Sequence, residues 1–433
     1  MNKLIFYMLC VLIFLLPIPL GSFRPWAIMT LGFLLTSVFT LHLANSLFFS
    51  RRLLPPVFSW PIFSSLLCVI TLCSIQTLTV SIDTQQTNQM LIKTTYMLIL
   101  CWLLFVYCDS KQKVKILLYT ITLTALCQSL YASFLNLTPS AMSPVFGYQE
   151  TGRALGSFSY ANFLANYLML SLSLGIGLFI SQLNNKPKPS NSKVQLLRDF
   201  TAVLLSPKIA IRIALIIIIV ALILTRSRMG NSAFFISLTL ISLIAVFIYK
   251  NKPPSFKYII LSFFIVDVII IGALFDVERI KERITETSLH SESRDEVVRD
   301  AIPLILDKPF IGSGGGTFYT AFPAYQSEPY SGYYDNAHND YIQFAVELGL
   351  PATLILGILV LYCFWLCLNT MKTRKTSLYQ GTAFGCAIAI TAMLLHSTVD
   401  YSLQAGANSM LFIIILCLTI LTNKLPPPVH SYK

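Results

Sequence analysis

The sequence predicts an all-α, polytopic membrane bundle of about twelve transmembrane helices, with one long loop on the outer, non-cytoplasmic side that contains amphipathic helices. Of the 433 residues, 55% are hydrophobic and only 12% are charged, whereas an ordinary soluble domain is about a quarter charged. Apolar stretches that reach roughly 20 residues with their flanks recur along the chain, and this is the length that crosses about 30 Å of hydrocarbon. A soluble core could not absorb so much apolar sequence.

The predicted helices divide the chain into four parts. Residues 1–150 hold transmembrane helices 1–5, and residues 151–275 hold helices 6–9 with a flexible, polar cytoplasmic linker near 183–207. Residues 276–340 form the long loop, and residues 341–433 hold helices 10–12. The apolar runs lie near 4–20, 26–47, 57–72, 90–107, 116–135, 158–180, 213–224, 234–249, 258–274, 351–368, 384–395 and 411–421.

The first apolar run could be mistaken for a signal peptide, because Lys3 precedes it. It has no small-residue cleavage pattern, and Pro17 and Pro19 interrupt it. We therefore expect it to be a retained span.

The distribution of Lys and Arg predicts the orientation. If both termini are cytoplasmic, 19 of the 31 basic residues fall in cytoplasmic segments, and the short outer loops hold only Arg24, Arg153, Arg226 and Arg228. This asymmetry follows the positive-inside rule. The net charge of +12 is therefore explained by topology, and nucleic-acid binding is not indicated.

Cysteine and histidine positions predict neither a disulfide framework nor a metal centre. The ten Cys residues lie in or at the ends of the apolar runs, and the five His residues are scattered. We expect no metal and no cofactor.

The long loop carries twelve of the 19 carboxylates, so it must lie in water or on the membrane surface. Within it, residues 294–306 place Val297, Val298, Ala301, Ile302 and Ile305 on one helical stripe. This spacing predicts an amphipathic helix that packs on the bundle.

Four motifs could carry chemistry. The first is the short outer turn 225–230, where Arg226 and Arg228 run against the positive-inside bias. They could snorkel to lipid head groups or clamp a phosphate-bearing ligand.

The second is Arg294 at the start of the amphipathic helix, which could approach the same anion or pair with neighbouring acidic residues. The third is the glycine run 312–316. Its backbone N–H groups could form a nest that binds phosphate, but the sequence favours a plain turn.

The fourth motif surrounds His338, where the long loop re-enters the membrane. Tyr334, Asp335, Asn339 and Asp340 lie close to it in sequence. A histidine can exchange a proton near neutral pH, and Tyr, Asn and Asp side chains suit a sugar. An interfacial tyrosine belt with a helix-capping Asn explains the same composition equally well.

In chain order these segments resemble the O-antigen ligase and polymerase superfamily of bacterial envelope proteins. The similar segments are Gly152–Ala165, Thr225–Gly230, Ser293 with Arg294, Lys308–Phe318, Ala337–Gln343 and Glu347–Gly349. One departure is that Ala352 stands where the ligase pattern has Gly, Thr or Tyr. The resemblance therefore leaves open an O-antigen ligase, a polysaccharide polymerase and a protein-directed O-oligosaccharyltransferase.

The resemblance implies a metal-independent glycosyltransferase in the bacterial inner membrane, with its active site facing the periplasm. It would take a glycan from undecaprenyl diphosphate and attach it to a lipid A core, a glycan or a protein. By the resemblance, His338, Arg228 and Arg294 are catalytic. Arg226 and Arg153 are weaker matches that would bind substrate, and we add Asn339, Asp335 and Tyr334 as further substrate-binding candidates.

The residue types fit that chemistry. Arginines would hold a leaving diphosphate, and His338 would accept the proton of the acceptor hydroxyl, with Asp335 or Asp340 orienting its ring. The rival from another class is a flippase for the same lipid-linked sugar. A transporter should show inverted repeats and charges along a path, whereas the polar motifs here gather at the outer face.

Overall fold

The computed structural model describes residues 1–49, 53–138, 140–143, 147, 149, 152–183, 207–249, 261, 288–327 and 334–426, and only the backbone of 207, 208 and 288–295. These ranges contain one isolated bridge, between Met142 and Gln149, and no β-strand. The α-helices within them are α1 (Asn2–Leu15), α2 (Pro25–Phe49), α3 (Trp60–Thr79), α4 (Thr84–Tyr107), α5 (Lys111–Leu137), α6 (Ala161–Ser181), α7 (Pro207–Leu224), α8 (Arg228–Ile248), α9 (Ser288–Asp307), α10 (Phe318–Ala321), α11 (Asp340–Thr373), α12 (Ser377–His396) and α13 (Gly406–Lys424).

The all-α membrane class is confirmed for the part of the chain that the structure describes. Nine of its helices are long and apolar enough to cross a membrane, and Asn2–Leu15 and Ile209–Leu224 are shorter apolar helices. Except for residue 261, the run predicted near 258–274 lies outside the described residues, as does most of the predicted linker. The number of about twelve spans therefore stays a prediction.

Helix α6 is the centre of the bundle and is buried along nearly its whole length. Its closest partner is α12, and glycines make the approach possible. A Cβ atom on Gly385 would lie 2.5 Å from the carbonyl oxygen of Ser173, and one on Gly381 would collide with the carbonyl oxygen of Gly177. Small residues of this kind let two membrane helices approach closely enough for their backbones to touch.

Helix α11 is broken near its start. Gly349 has φ 75° and ψ 167°, and Pro351 follows two residues later, so the short stretch Asp340–Leu348 turns before the long span begins. The glycine run packs into this break, where Ser313 N donates to Val346 O at 2.9 Å and Leu350 N donates to Pro309 O at 2.8 Å. The run 312–316 is thus a tightly packed turn, as the sequence favoured.

The predicted amphipathic helix is present as part of α9, but its buried stripe differs in part from the prediction. Val297, Ala301, Leu304 and Ile305 are buried, whereas Ile302 is 46% exposed. Leu304 therefore takes the place expected for Ile302, because α9 packs against α11 and the segment around Phe318 and Phe322 on one narrow face. At its end, Tyr325 Oη donates to Asp307 Oδ2 at 2.7 Å, and this bond raises the pKa of Tyr325.

Candidate functional site

The turn between α7 and α8 presents two arginines at one end of the bundle. Ser227 caps α8, because its buried Oγ accepts a hydrogen bond from Gly230 N at 3.3 Å. Arg226 precedes the cap with φ 49°, and Arg228 is the first residue of the helix. Both side chains are exposed, so the turn presents two guanidinium groups to the space beyond the helix ends.

Arg153 is held against this turn. Ala154 N donates to Leu224 O at 3.0 Å, and Arg153 Nε donates to Thr225 O at 2.9 Å. A Cβ atom added to Gly152 would lie 3.9 Å from Nη1 of Arg226. The structure therefore brings Arg153 and Arg226 together, with Arg228 next along the turn, although 72 or more residues separate Arg153 from the other two.

Arg226 and Arg228 form no salt bridge within 4.0 Å to a carboxylate of the described residues. Arginines that face a membrane boundary without such partners favour an anionic ligand or lipid head groups. Arg294 lies in α9, but its side chain falls outside the described residues, so its approach to this turn stays a prediction.

His338 lies at the same end of the bundle, just before α11. Its backbone has φ 50°, and its ring contacts the ring of Tyr401 with centroids 4.7 Å apart and planes at 90°. The ring centroid of Tyr334 lies 6.0 Å from that of His338, and the two rings are arranged edge to face. The imidazole is therefore seated among tyrosines at a helix entrance.

Asn339 has a structural role that is visible in its contacts. It is the N-cap of α11, where its Oδ1 accepts from Tyr341 N at 3.0 Å and Ile342 N at 3.2 Å, and its Nδ2 donates to Thr398 O at 3.0 Å. Its amide oxygen is thus already occupied by the helix end. Substrate binding by Asn339 stays a prediction, and the helix-capping explanation for this residue fits the geometry.

The two carboxylates near His338 lie in different surroundings. Asp335 is exposed, whereas Asp340 is buried and its Oδ2 accepts from Ser397 Oγ at 2.9 Å and from Leu403 N at 3.5 Å. Asp340 Oδ2 therefore holds the segment after α12. The orientation of the His338 ring by Asp335 or Asp340 remains untested.

An aromatic cluster, defined here as Phe23, Tyr160, Phe163 and Tyr401, connects the two halves of the site. Phe163 lies 5.3 Å from Tyr401, which contacts His338, and 5.2 Å from Phe23 and Tyr160. The residue before Phe163 is Asn162, whose Oδ1 accepts from Arg153 Nη2 at 2.6 Å. The start of the buried helix α6 therefore positions both the arginine turn and His338.

Two further polar groups lie near this cluster. His396 Nε2 lies 4.0 Å from Asp400 Oδ2, and Asp400 Oδ1 accepts from Tyr401 N at 2.7 Å. Lys93 Nζ donates to Gln404 O at 2.8 Å. In the sequence, His396 and Asp400 both follow the apolar run 384–395, and this pair of ionisable residues four positions apart was the signal for the first group.

The fold and the arrangement at this end define, for the described residues, a multi-pass, all-α membrane protein with a candidate site at the ends of its helices. A family model described as O-antigen ligase matches residues 213–357, which are 145 of the 433 residues. The match confirms, over these residues, the resemblance to the O-antigen ligase and polymerase superfamily. The comparison with curated proteins found no match.

Proposed function

We propose that this protein is a glycosyltransferase of the O-antigen ligase type, which moves a glycan from undecaprenyl diphosphate to the lipid A core on the periplasmic face. The observation that carries the proposal is the gathering of Arg153, Arg226 and Arg228 at the end of the bundle that also holds His338. The family match spans Arg226, Arg228, Arg294 and His338, and it supports lipid-linked glycan chemistry at this end.

The chemistry requires little more than positioning, because a diphosphate is a good leaving group. Arg228 and Arg226 would hold the diphosphate through charge-assisted hydrogen bonds, which strengthen as negative charge develops on the leaving oxygen. His338 would accept the proton of the acceptor hydroxyl as that oxygen attacks the first carbon of the sugar. A single displacement of this kind inverts the configuration at that carbon.

The glycan products of a deletion strain test the proposal. We expect bare lipid A core, with finished polymer accumulating on the lipid carrier, and we expect the wild-type gene to restore the normal product. Arg228→Ala should fail to restore it. Arg299→Ala is the matched control, because Arg299 is also exposed, with 67% side-chain exposure, but is paired with Asp300.

Other products would contradict the ligase assignment. Lipid A core capped with single repeat units would identify a polymerase. Intact lipopolysaccharide with loss of a glycosylated protein would identify a protein-directed enzyme. Accumulation of the lipid-linked sugar on the cytoplasmic face would identify a flippase, the alternative from another functional class.

A further inference from the structure

The residues on both sides of His338 are held in place by hydrogen bonds. Ala337, which precedes it, is buried, and its N–H donates to Gln343 Oε1 at 2.7 Å. Asn339, which follows it, caps α11 and donates through Nδ2 to Thr398 O at 3.0 Å. The backbone of His338 therefore lies between two fixed neighbours. The mechanism above does not use Gln343.

These two anchors account for the unusual backbone of His338, which has φ 50°. A positive φ at a non-glycine residue is unfavourable and persists only where the surroundings impose it. Gln343 lies about one turn into α11 and reaches back past the helix cap to Ala337. Without this bond, His338 would be free to relax to an ordinary backbone conformation, and its imidazole would point elsewhere.

Glu347 determines which end of the Gln343 amide faces Ala337. Both side chains are buried, and Gln343 Nε2 donates to Glu347 Oε1 at 2.6 Å. A carboxylate accepts hydrogen bonds, whereas a side-chain amide has a donor end and an acceptor end. Glu347 therefore turns the donor end of Gln343 toward itself. The amide oxygen is left facing the N–H of Ala337, which can only donate.

Glu347 is itself fixed by two other segments of the chain. Its carbonyl oxygen accepts from Gly314 N at 3.2 Å and from Nε2 of Gln76, a residue of α3, at 2.8 Å. Gln76 Oε1 accepts in turn from Gly315 N at 3.1 Å. The glycine run and α3 thus hold the turn of α11 from which the Glu347 carboxylate projects. A chain of bonds runs from this anchored turn through Gln343 to the residue before His338.

We propose that Gln343 and Glu347 are positioning residues, which hold His338 in the conformation from which its imidazole accepts the proton of the acceptor hydroxyl. Neither side chain needs to contact a substrate. A displacement of about 1 Å at a reacting group can cost about 100-fold in rate, so a fixed base is worth this construction. The inference rests on the proposed function, because that function makes His338 a base.

The first test is Gln343→Met in the full-length protein, which keeps the length of the side chain and removes the acceptor for Ala337 N. Turnover of the purified protein should fall roughly 10- to 100-fold. The affinity for the lipid-linked donor should stay as in the wild type, because no group at the arginine turn changes.

Gln380→Met is the matched control. Gln380 is also buried, and its Nε2 donates to Met371 O at 3.0 Å, at the end of α11 far from His338. This variant should lose a comparable buried hydrogen bond and keep wild-type turnover. Melting temperatures of both variants show whether the two losses of stability are similar.

An exchange of the two side chains tests the chain of bonds itself. Gln343→Glu alone puts a carboxylate oxygen where Nε2 lies, 2.6 Å from Glu347 Oε1, and the like charges repel. Turnover should fall at least as far as in Gln343→Met. Gln343→Glu combined with Glu347→Gln restores an acceptor for Ala337 N and a donor between the two side chains. The double variant should therefore return to within about threefold of wild-type turnover.

A His338→Ala background separates positioning from general destabilisation. If Gln343 acts through His338, adding Gln343→Met should lower the residual turnover of His338→Ala by less than about twofold. A further loss of about tenfold in that background would overturn the inference. So would a loss of donor affinity equal to the loss of turnover, or an exchanged pair that melts like the wild type without recovering activity.

Histidine NMR signals distinguish a failure of this inference from a failure of the proposed function. The chain has five His residues, and the labelled imidazole signal that disappears in His338→Ala belongs to His338. We expect Gln343→Met to shift or split that signal, the exchanged pair to restore it and Gln380→Met to leave it unchanged. An unchanged signal in Gln343→Met would overturn the inference. A changed signal in a protein whose His338→Ala variant keeps normal turnover would instead retain the positioning and overturn the base of the proposed function.

Discussion

Two candidate residues have backbone conformations that non-glycine residues rarely adopt. Arg226 has φ 49° and His338 has φ 50°, and the other such residues in the described chain are Leu20 and Ser22. A positive φ costs about 1–3 kcal/mol at a non-glycine residue and persists only when the surroundings impose it. Such strain is common at active sites, so it supports a functional role for both residues independently of their chemistry.

His338 and Arg228 should differ in what their replacement changes. His338→Ala should lower turnover roughly 100- to 10,000-fold, as expected for a general base, while the lipid-linked donor still binds. Wild-type activity should fall as the pH drops, because an imidazole that has taken up a proton can no longer act as a base. The variant should lack that dependence. Rates of the purified protein measured between about pH 5 and pH 8 check both points.

Arg228→Ala should reduce donor affinity as well as turnover, because the diphosphate is present in the bound donor and in the transition state. Arg228→Lys should recover activity only in part, since Lys restores the charge without the planar, bidentate geometry. Near-normal turnover of His338→Ala at every pH, or equal losses of donor binding in both variants, would show that His338 is not the base. Protein level and melting temperature must be matched to the wild type.

The sequence predicted the importance of these residues where the signal lay in the residue itself and its immediate neighbours. The arginines stood out because they run against the charge bias, and the position of Asn339 suggested a helix cap, which the structure shows. The sequence did not predict contacts between residues that lie far apart in the chain. Lys93 lies inside the predicted apolar run near 90–107, and only the fold shows that it bonds to carbonyl groups 310 and 311 residues away.

At the level of helices, the contact between α6 and α12 decides where the site residues lie. Helix α6 supplies Asn162 to Arg153 and Phe163 to Tyr401, and α12 leads directly into Asp400 and Tyr401. A change in the distance between these helices would separate the arginine turn from His338. Their glycines are therefore important to the site although they lie in the middle of the bundle.

A pair of Gly→Ala variants tests this contact. Gly381→Ala places a methyl group against the fixed backbone at Gly177, and overpacking of this kind costs about 1–3 kcal/mol. Gly357→Ala adds the same methyl group to a helix in open space, so it should leave stability unchanged or raise it slightly. Thermal unfolding of both proteins in one detergent gives the comparison, and equal melting temperatures would show that the helices can move apart without cost.

The helices also show which predictions a periodic pattern supports. The amphipathic helix within α9 followed from spacing alone, yet the choice between Ile302 and Leu304 as a buried residue depended on the partner surface. Pro351 gave a local sign of a helix start. The break at Gly349 depends on the glycine run that packs into it from a segment more than 30 residues earlier, and no local pattern contains that information.

For the whole molecule, the structure places Arg153, Arg226, Arg228 and His338 at one end of the bundle, and the side of the membrane that this end faces follows from the charges of the chain. The charge bias supplies this information, because the segments rich in Lys and Arg alternate along the chain with the segments that carry the arginine turn and His338. The site end should therefore be periplasmic. This orientation is required by the proposed function, since the donor glycan is used on that face.

Reporter fusions test the orientation directly. Fusions after Pro187 and after Lys375 should be active only as cytoplasmic reporters, and a fusion near Gln326 should be active only as a periplasmic reporter. The expectation rests on 19 of 31 basic residues falling on one side and on the position of Gln326 between α10 and α11, in the segment that leads to His338. Alkaline phosphatase, which folds only after export, and a fluorescent protein that folds in the cytoplasm give complementary signals at each site. A cytoplasmic signal near Gln326 would put His338 and the arginine turn on the side where no polymerised lipid-linked glycan is available, and the glycosyltransferase proposal would then fail even if every residue contact described above were correct.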